Sequence, residues 1–173
     1  MSEKIYSLEA ILASISKYKK PNVIKRLIFD QAPVGGIGSK WIIAFFFLLP
    51  FIEAAGIFNP WVYQILGIAQ AIIFFIVFLS IVMILVFTFA SINNARVVKK
   101  ITPSWKQYFP EIDIKLVVTS GATPYKNFYS HCSAAFNEGL EGEALHRYLK
   151  EAFVTMQDEN KELIEAMHKD RNK

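Results

Sequence analysis

Three groups of residues have types that chemistry could use. They are the glycines and lysine of VGGIGSKW (Val34 to Trp41), the acid Glu53, and His131 beside Cys132 with His146 and His168 elsewhere. A phosphate-binding loop of the Walker type needs G-x-x-x-x-G-K-[ST] between a strand and a helix. Here Ser39 precedes Lys40, and Trp41 stands where a magnesium-holding hydroxyl is required. No hydrophobic strand leads into the loop. The stretch therefore reads as a hinge, with glycines to let the backbone turn and with Lys40 and Trp41 marking a membrane boundary.

Glu53 is the sharper candidate. It is the only acid between Trp41 and Ala95, a stretch that also lacks Lys and Arg. An ionisable residue inside an apolar span is a functional-site hypothesis by default. If Asn59-Pro60 is a turn, Glu53 lies about 8 or 9 Å of helix rise below it. Folding back then places Gly67 near its level, with Tyr63 and Gln70 on the same helical face. Three roles stay open: an ion- or proton-handling carboxyl, an acid reaching outer water, or a polar peg between helices.

The histidines have no metal-ligand spacing, and Cys132 sits on an apolar stripe without a fixed base nearby. A single cysteine also excludes an internal disulfide framework. No Ser-His-Asp set, paired carboxylates or glycine-rich catalytic loop stands out. The expectation is a non-enzymatic protein without cofactor or metal.

The elements that must position these residues follow from the charge distribution. All 19 basic residues fall outside the apolar block, seven before it and twelve after. That is the pattern of an integral membrane protein. The net charge of +4 suits anionic lipid headgroups better than nucleic acid, because the basic residues crowd both flanks of the block.

The block divides at Phe58-Asn59-Pro60-Trp61, a turn signal. Residues 41–58 give about 27 Å of helix, enough for one span of roughly 30 Å. Residues 61–95 form a second span with a cytoplasmic extension, Trp61 to Ser91 alone reaching about 46 Å. Ala54 and Gly56 in the first span, with Gly67 and Ala71 in the second, permit close helix approach. Pro50 and Gly56 predict a kink. Lys40, Trp41, Trp61, Arg96, Lys99, Lys100 and Trp105 read as interface anchors. The external turn 59–60 carries no basic residue, so both termini are expected in the cytoplasm of a bacterial inner membrane.

Residues 1–40 form an N-terminal arm. Leu8, Ile11, Leu12 and Ile15 follow the i, i+3, i+4, i+7 rule of an amphipathic helix, closed by Pro21. A second apolar-basic piece carries Val23, Ile24, Leu27 and Ile28. Beside a span, such helices are expected in the membrane interface, the alternative being packing on the C-terminal domain. Residues 96–173 are expected to form a small cytoplasmic helical domain with a charged tail. Residues 111–119 alternate like a strand, but a strand without a partner leaves backbone groups unpaired, which favours a short helix. Thr123 and Pro124 predict the start of the next helix, with Tyr125, Phe128, Tyr129, Cys132 and Phe136 on one stripe and Gly139 as its stop. A longer helix after Gly142 buries Leu145, Leu149, Ala152, Phe153 and Met156.

The segment VVTSGATPYKNFYSHC followed by NEGLEGEAL resembles the cytoplasmic helical domains of secretion-system platform proteins. Those use a Ser-Gly turn into a helix and a later Gly-x-x-x-x-Ala-Leu, although their order relative to the spans differs. The expected fold is an all-α integral membrane protein, a two-span hairpin flanked by cytoplasmic helices. The expected function is a scaffold subunit of an oligomeric inner-membrane complex, with secretion or conjugation machinery as the setting that the resemblance implies. Its partners are other membrane subunits and anionic lipids. Two alternatives are a small channel or transporter element using Glu53 and a membrane-shaping hairpin.

Overall fold

The computed structural model describes residues 4–171. The chain is mostly helical. In order it forms α1 (Leu8–Ile15), β1 (Ser16–Lys19), β2 (Asn22–Lys25), a 3₁₀ turn (Ala32–Val34), α2 (Ser39–Ile57) and α3 (Pro60–Leu66), then α4 (Ile68–Tyr108), α5 (Ile114–Val118), α6 (Phe128–Asn137), α7 (Gly142–Glu159) and α8 (Lys161–Arg171).

Two helices, α2 and α4, are long and apolar enough to cross a membrane. They run side by side, joined by Phe46–Phe89 and Phe58–Phe75 ring contacts with centroids 5.7 and 6.5 Å apart. Most of their side chains face outward, with Ile57, Ala71 and Val82 the buried apolar side chains along the paired segments. The turn between them forms as its residues dictate. Asn59 caps α3 by accepting the Trp61 N–H at 3.1 Å, and Pro60 takes the first helical position, where its missing N–H costs nothing. The second apolar run is not one helix, however. Gly67, at φ +73° and ψ 163°, separates α3 from α4. That backbone region is closed to residues with a Cβ, so a glycine inside the apolar run dictates the break.

The remaining elements pack into one head. Its core joins Leu8, Ile11, Leu12 and Ile15 of α1 to Val97, Ile101 and Trp105 of α4, Ile114 of α5, Phe128 and Cys132 of α6, and Leu145, Leu149 and Phe153 of α7. This corrects the interfacial expectation for the N-terminal arm. The amphipathic face of α1 is the one its periodicity predicts, but it is buried in protein. Complete burial of each such side chain is worth about 1.5–3 kcal/mol, whereas a helix lying in an interface keeps part of that face near headgroups and water.

The second piece of the arm is also corrected. It is not a helix but an antiparallel hairpin in register Ser16↔Lys25 to Lys19↔Asn22, turning through a cis Lys20–Pro21 bond. Val23 points into the core and Ile24 out, as a period of two requires. The hairpin is tied to α6. The Val23 N–H donates to Ser133 Oγ at 2.7 Å, and Asn137 accepts from the Tyr18 hydroxyl while donating to the Pro21 carbonyl.

Residues 111–119 contain the short helix α5, capped by Asp113, whose carboxylate accepts the Lys115 N–H at 2.9 Å. The helix expected from Pro124 begins later, at Phe128. Thr123 still caps, accepting the Tyr125 N–H, but it starts a turn because its hydroxyl is held by the Leu116 carbonyl at 2.6 Å. At the other end Gly139 (φ +70°) closes α6 with bonds from Gly139 N–H to Phe136 and from Leu140 N–H to Ala135, a Schellman cap. Helix α7 buries Leu145, Leu149, Ala152, Phe153 and Met156, the side its pattern predicts.

Candidate functional site

The apolar hairpin meets the head at a junction built by α4. Where the apolar run of α4 ends, Asn93 and Asn94 grip the extended segment that leads into α2. The Phe29 N–H donates to Asn94 Oδ1 at 2.7 Å, and Asn93 Nδ2 donates to the Phe29 carbonyl at 2.8 Å. Gln31 donates to Asn93 Oδ1 at 2.6 Å, and Asn94 donates to the Leu27 carbonyl at 2.9 Å. Asparagine lowers helix propensity because its amide competes for backbone partners. Two in succession at the end of an apolar run were a signal for such a grip.

The hinge VGGIGSKW lies against this junction. Gly35 takes φ +74° to end the 3₁₀ turn, and a Cβ on Gly36 would come within 2.5 Å of the Gln31 side chain. Asp30 Oδ1 accepts the Ser39 N–H at 3.2 Å at the start of α2. A phosphate cradle would offer that positive helix end to its ligand; here a carboxylate of the chain already occupies it.

Glu53, Tyr63 and Gln70 do not assemble into a bonded cluster. Both Glu53 carboxylate oxygens are shielded from solvent and have no hydrogen-bond partner among the described residues. Tyr63 and Gln70 are exposed, and the Gln70 side chain folds toward Gly67, where an added Cβ would meet its Oε1 at 3.2 Å. Among the four small residues expected at the helix contact, Ala71 is fully buried and Ala54 half-buried. Gly56 faces open space and mediates no approach.

The expected anchors separate into two kinds. Trp41 (68% exposed) and Trp61 (72% exposed) lie at opposite ends of the hairpin, with the Lys40 ammonium 6.0 Å from the Trp41 ring centroid. Arg96, Lys99 and Lys100 are exposed on α4, and Lys100 also donates to the Gly35 carbonyl at 3.4 Å. Trp105 is a correction. It is 0% exposed, donates from Nε1 to the Ile112 carbonyl at 2.8 Å, and packs against Phe109, Phe128 and Phe153. The spacing of Val97, Val98, Ile101 and Trp105 continues a helical stripe past the basic residues, which is the signal that places it in a core.

His146 Nε2 lies 2.9 Å from the Tyr108 carbonyl at the end of α4 and its ring packs edge-on against Phe109. The side chain of His168 falls outside the described residues. Among the described residues no three His, Cys, Asp or Glu side chains gather as a metal site. Burial pushes the Cys132 thiol up to about 12, which keeps it protonated and unreactive near neutral pH.

One feature was not legible in the sequence. At the junction lies a cavity of about 1070 Å³ whose lining includes Lys25, Arg26, Lys99, Lys115 and Ser120. These residues come from β2, the following segment, α4, α5 and the loop beyond. Arg26 and Leu27 also line a second cleft of about 550 Å³, which runs between α2 and α4 along Phe46, Pro50, Val82 and Ala90. No run or spacing links Lys25, Lys99 and Lys115, so only the fold reveals their meeting.

No family model, curated protein or solved structure matches this chain.

Proposed function

We propose that the protein is a non-enzymatic scaffold subunit of a multiprotein complex in a bacterial inner membrane. Secretion or conjugation machinery is the proposed setting. In this reading α2 to α4 form a two-span hairpin, and the positively charged flanks keep both termini in the cytoplasm. The observation that carries the reading is mechanical. Helix α4 runs from the exposed apolar hairpin into the head's core, and Asn93 and Asn94 tie the chain before α2 to the same helix. Apolar surface on that scale needs lipid or protein cover. A head fixed to it without a flexible linker suits holding partners at a set place on the membrane.

Two measurements test this. Alkaline carbonate should leave the chain in the membrane pellet, and mild detergent should release it in a large assembly whose neighbours crosslink to the head in native membranes. A folded lone monomer in mild detergent, with no crosslinked neighbours, overturns the scaffold reading.

A small oligomeric channel is a second reading, favoured by the shielded, unpartnered carboxylate of Glu53. Liposomes containing the parent protein should then pass protons or cations, and Glu53→Gln should change that flux. No flux from the parent protein ends this reading. The membrane-shaping alternative keeps only the uneven apolar helices as support, since the apolar face of α1 is buried in the head.

A further inference from the structure

We propose that the junction holds one anionic phospholipid, its phosphate headgroup in the basic cavity and its acyl chains in the adjoining cleft between α2 and α4. This rests on the membrane-inserted reading of the hairpin and gives it a specific lipid partner.

Charge is the first argument. Lys25, Arg26, Lys99 and Lys115 line the cavity beside apolar side chains such as Phe29, Val98 and Val118, and no carboxylate lines it. Arg26 lies 3.8 Å from the Asp30 carboxylate and donates from Nε to the Ala13 and Ser16 carbonyls. The uncommitted charge therefore comes from Lys25, Lys99 and Lys115, which form no ion pair among the described residues. Lys25 is partly withdrawn from water, with the Ser120 hydroxyl as its acceptor at 2.8 Å. That burial lowers the Lys25 ammonium below its ordinary range, a cost that an anion in the cavity offsets.

Shape is the second argument. Arg26 and Leu27 line both the cavity and the 550 Å³ cleft, and the rest of the cleft lining is almost wholly apolar. Leu27 itself is 86% exposed at the seam. A free phosphate or a soluble metabolite has no use for that second half. A glycerophospholipid has a charged end and an apolar end in the same order.

Position is the third. Asn94 and Lys99 of the cavity follow directly on the apolar run of α4. A basic pocket at that height faces the headgroup layer, where anionic lipids concentrate.

The test uses the full chain in nanodiscs and in detergent. Native mass spectrometry should find phosphatidylglycerol retained in preference to phosphatidylcholine. Lys99→Gln with Lys115→Gln should weaken that retention about 30-fold, the effect of removing two cations near the lipid surface. Arg147→Gln with Lys150→Gln, an equal charge loss on α7, should leave it unchanged. Lys99→Arg with Lys115→Arg should retain the lipid, because the site needs charge. Ala90→Phe should fill the cleft and weaken lipid retention while leaving any binding of soluble glycerol phosphate unaltered.

Equal retention of both lipids overturns the proposal, as does an unchanged affinity in the glutamine pair or a loss in the arginine pair. Glycerol phosphate binding as tightly as the lipid, or no effect of Ala90→Phe, identifies an anion site without a lipid. Loss of lipid selectivity with the assembly intact sinks this site alone. Failure of the parent chain to stay in carbonate-washed membranes sinks the membrane reading beneath it.

Discussion

Asn93, buried on α4, donates its side-chain amide to the carbonyl of Phe29, a residue 64 positions earlier in the chain, at 2.8 Å. The same side chain accepts from Gln31 at 2.6 Å. Replacing it with alanine leaves the Phe29 carbonyl and the Gln31 amide without these partners at the junction. Such a change costs about 1–3 kcal/mol, so Asn93→Ala should lower the unfolding midpoint in detergent by several degrees. Asn93→Leu, which adds volume but no donor, should not restore it.

The two hairpin glycines should respond in opposite directions. Gly67 sits at φ +73°, and an added Cβ meets Gln70 Oε1 at 3.2 Å. Gly67→Ala should therefore destabilise by about 1–3 kcal/mol. Gly56 lies inside α2 with open space around it, and Gly56→Ala should be neutral or stabilising by up to about 1 kcal/mol. Thermal unfolding of both variants in one detergent decides the comparison.

Glu9 on α1 accepts the Gly142 N–H at 2.8 Å, at the first residue of α7. Its own backbone N–H and that of Gly142 hold the carboxyl below its ordinary value of 4.5. A depressed folded value means the contribution is complete above the unfolded value and is lost as pH falls through the folded one. Unfolding midpoints of the parent should therefore fall as pH drops below the ordinary value of 4.5, with Glu9→Gln losing less on that acid limb. Identical acid limbs in the two proteins count against the cap.

The three tryptophans should divide by quencher. Brominated lipid should quench Trp41 and Trp61, which are exposed at the hairpin ends, and leave Trp105 bright. Single-tryptophan variants read each residue separately. Quenching of Trp105 by lipid contradicts its place in the head. Trp105→Ala should cost about 3–5 kcal/mol.

Much of the helical framework was legible because its signals are local. The apolar block, the Asn59-Pro60 turn and the buried side of α7 each follow from a few neighbouring residues. Failures came where the deciding partner lies far away in sequence. The apolar face of α1 reads the same whether lipid or protein covers it, and only packing on α4 and α7 tells the difference. The hairpin at Ser16–Lys25 has strands of four residues, too short for a period of two to stand out from helix. Trp105 beside Lys106 has the composition of a membrane belt, although the stripe through Val97 and Ile101 carries it into the core. The basic cavity draws on residues as far apart as Lys25 and Ser120, a separation that no motif spans.

Helix α4 is 41 residues long, about 61 Å, and its two halves belong to the hairpin and the head. A tilt of about 10° at the apolar end swings the far end by about 10 Å over that length. An apolar helix too long for its bilayer tilts to fit. In the membrane-inserted reading proposed above, bilayer thickness would through α4 set where the head stands above the surface and which way it faces.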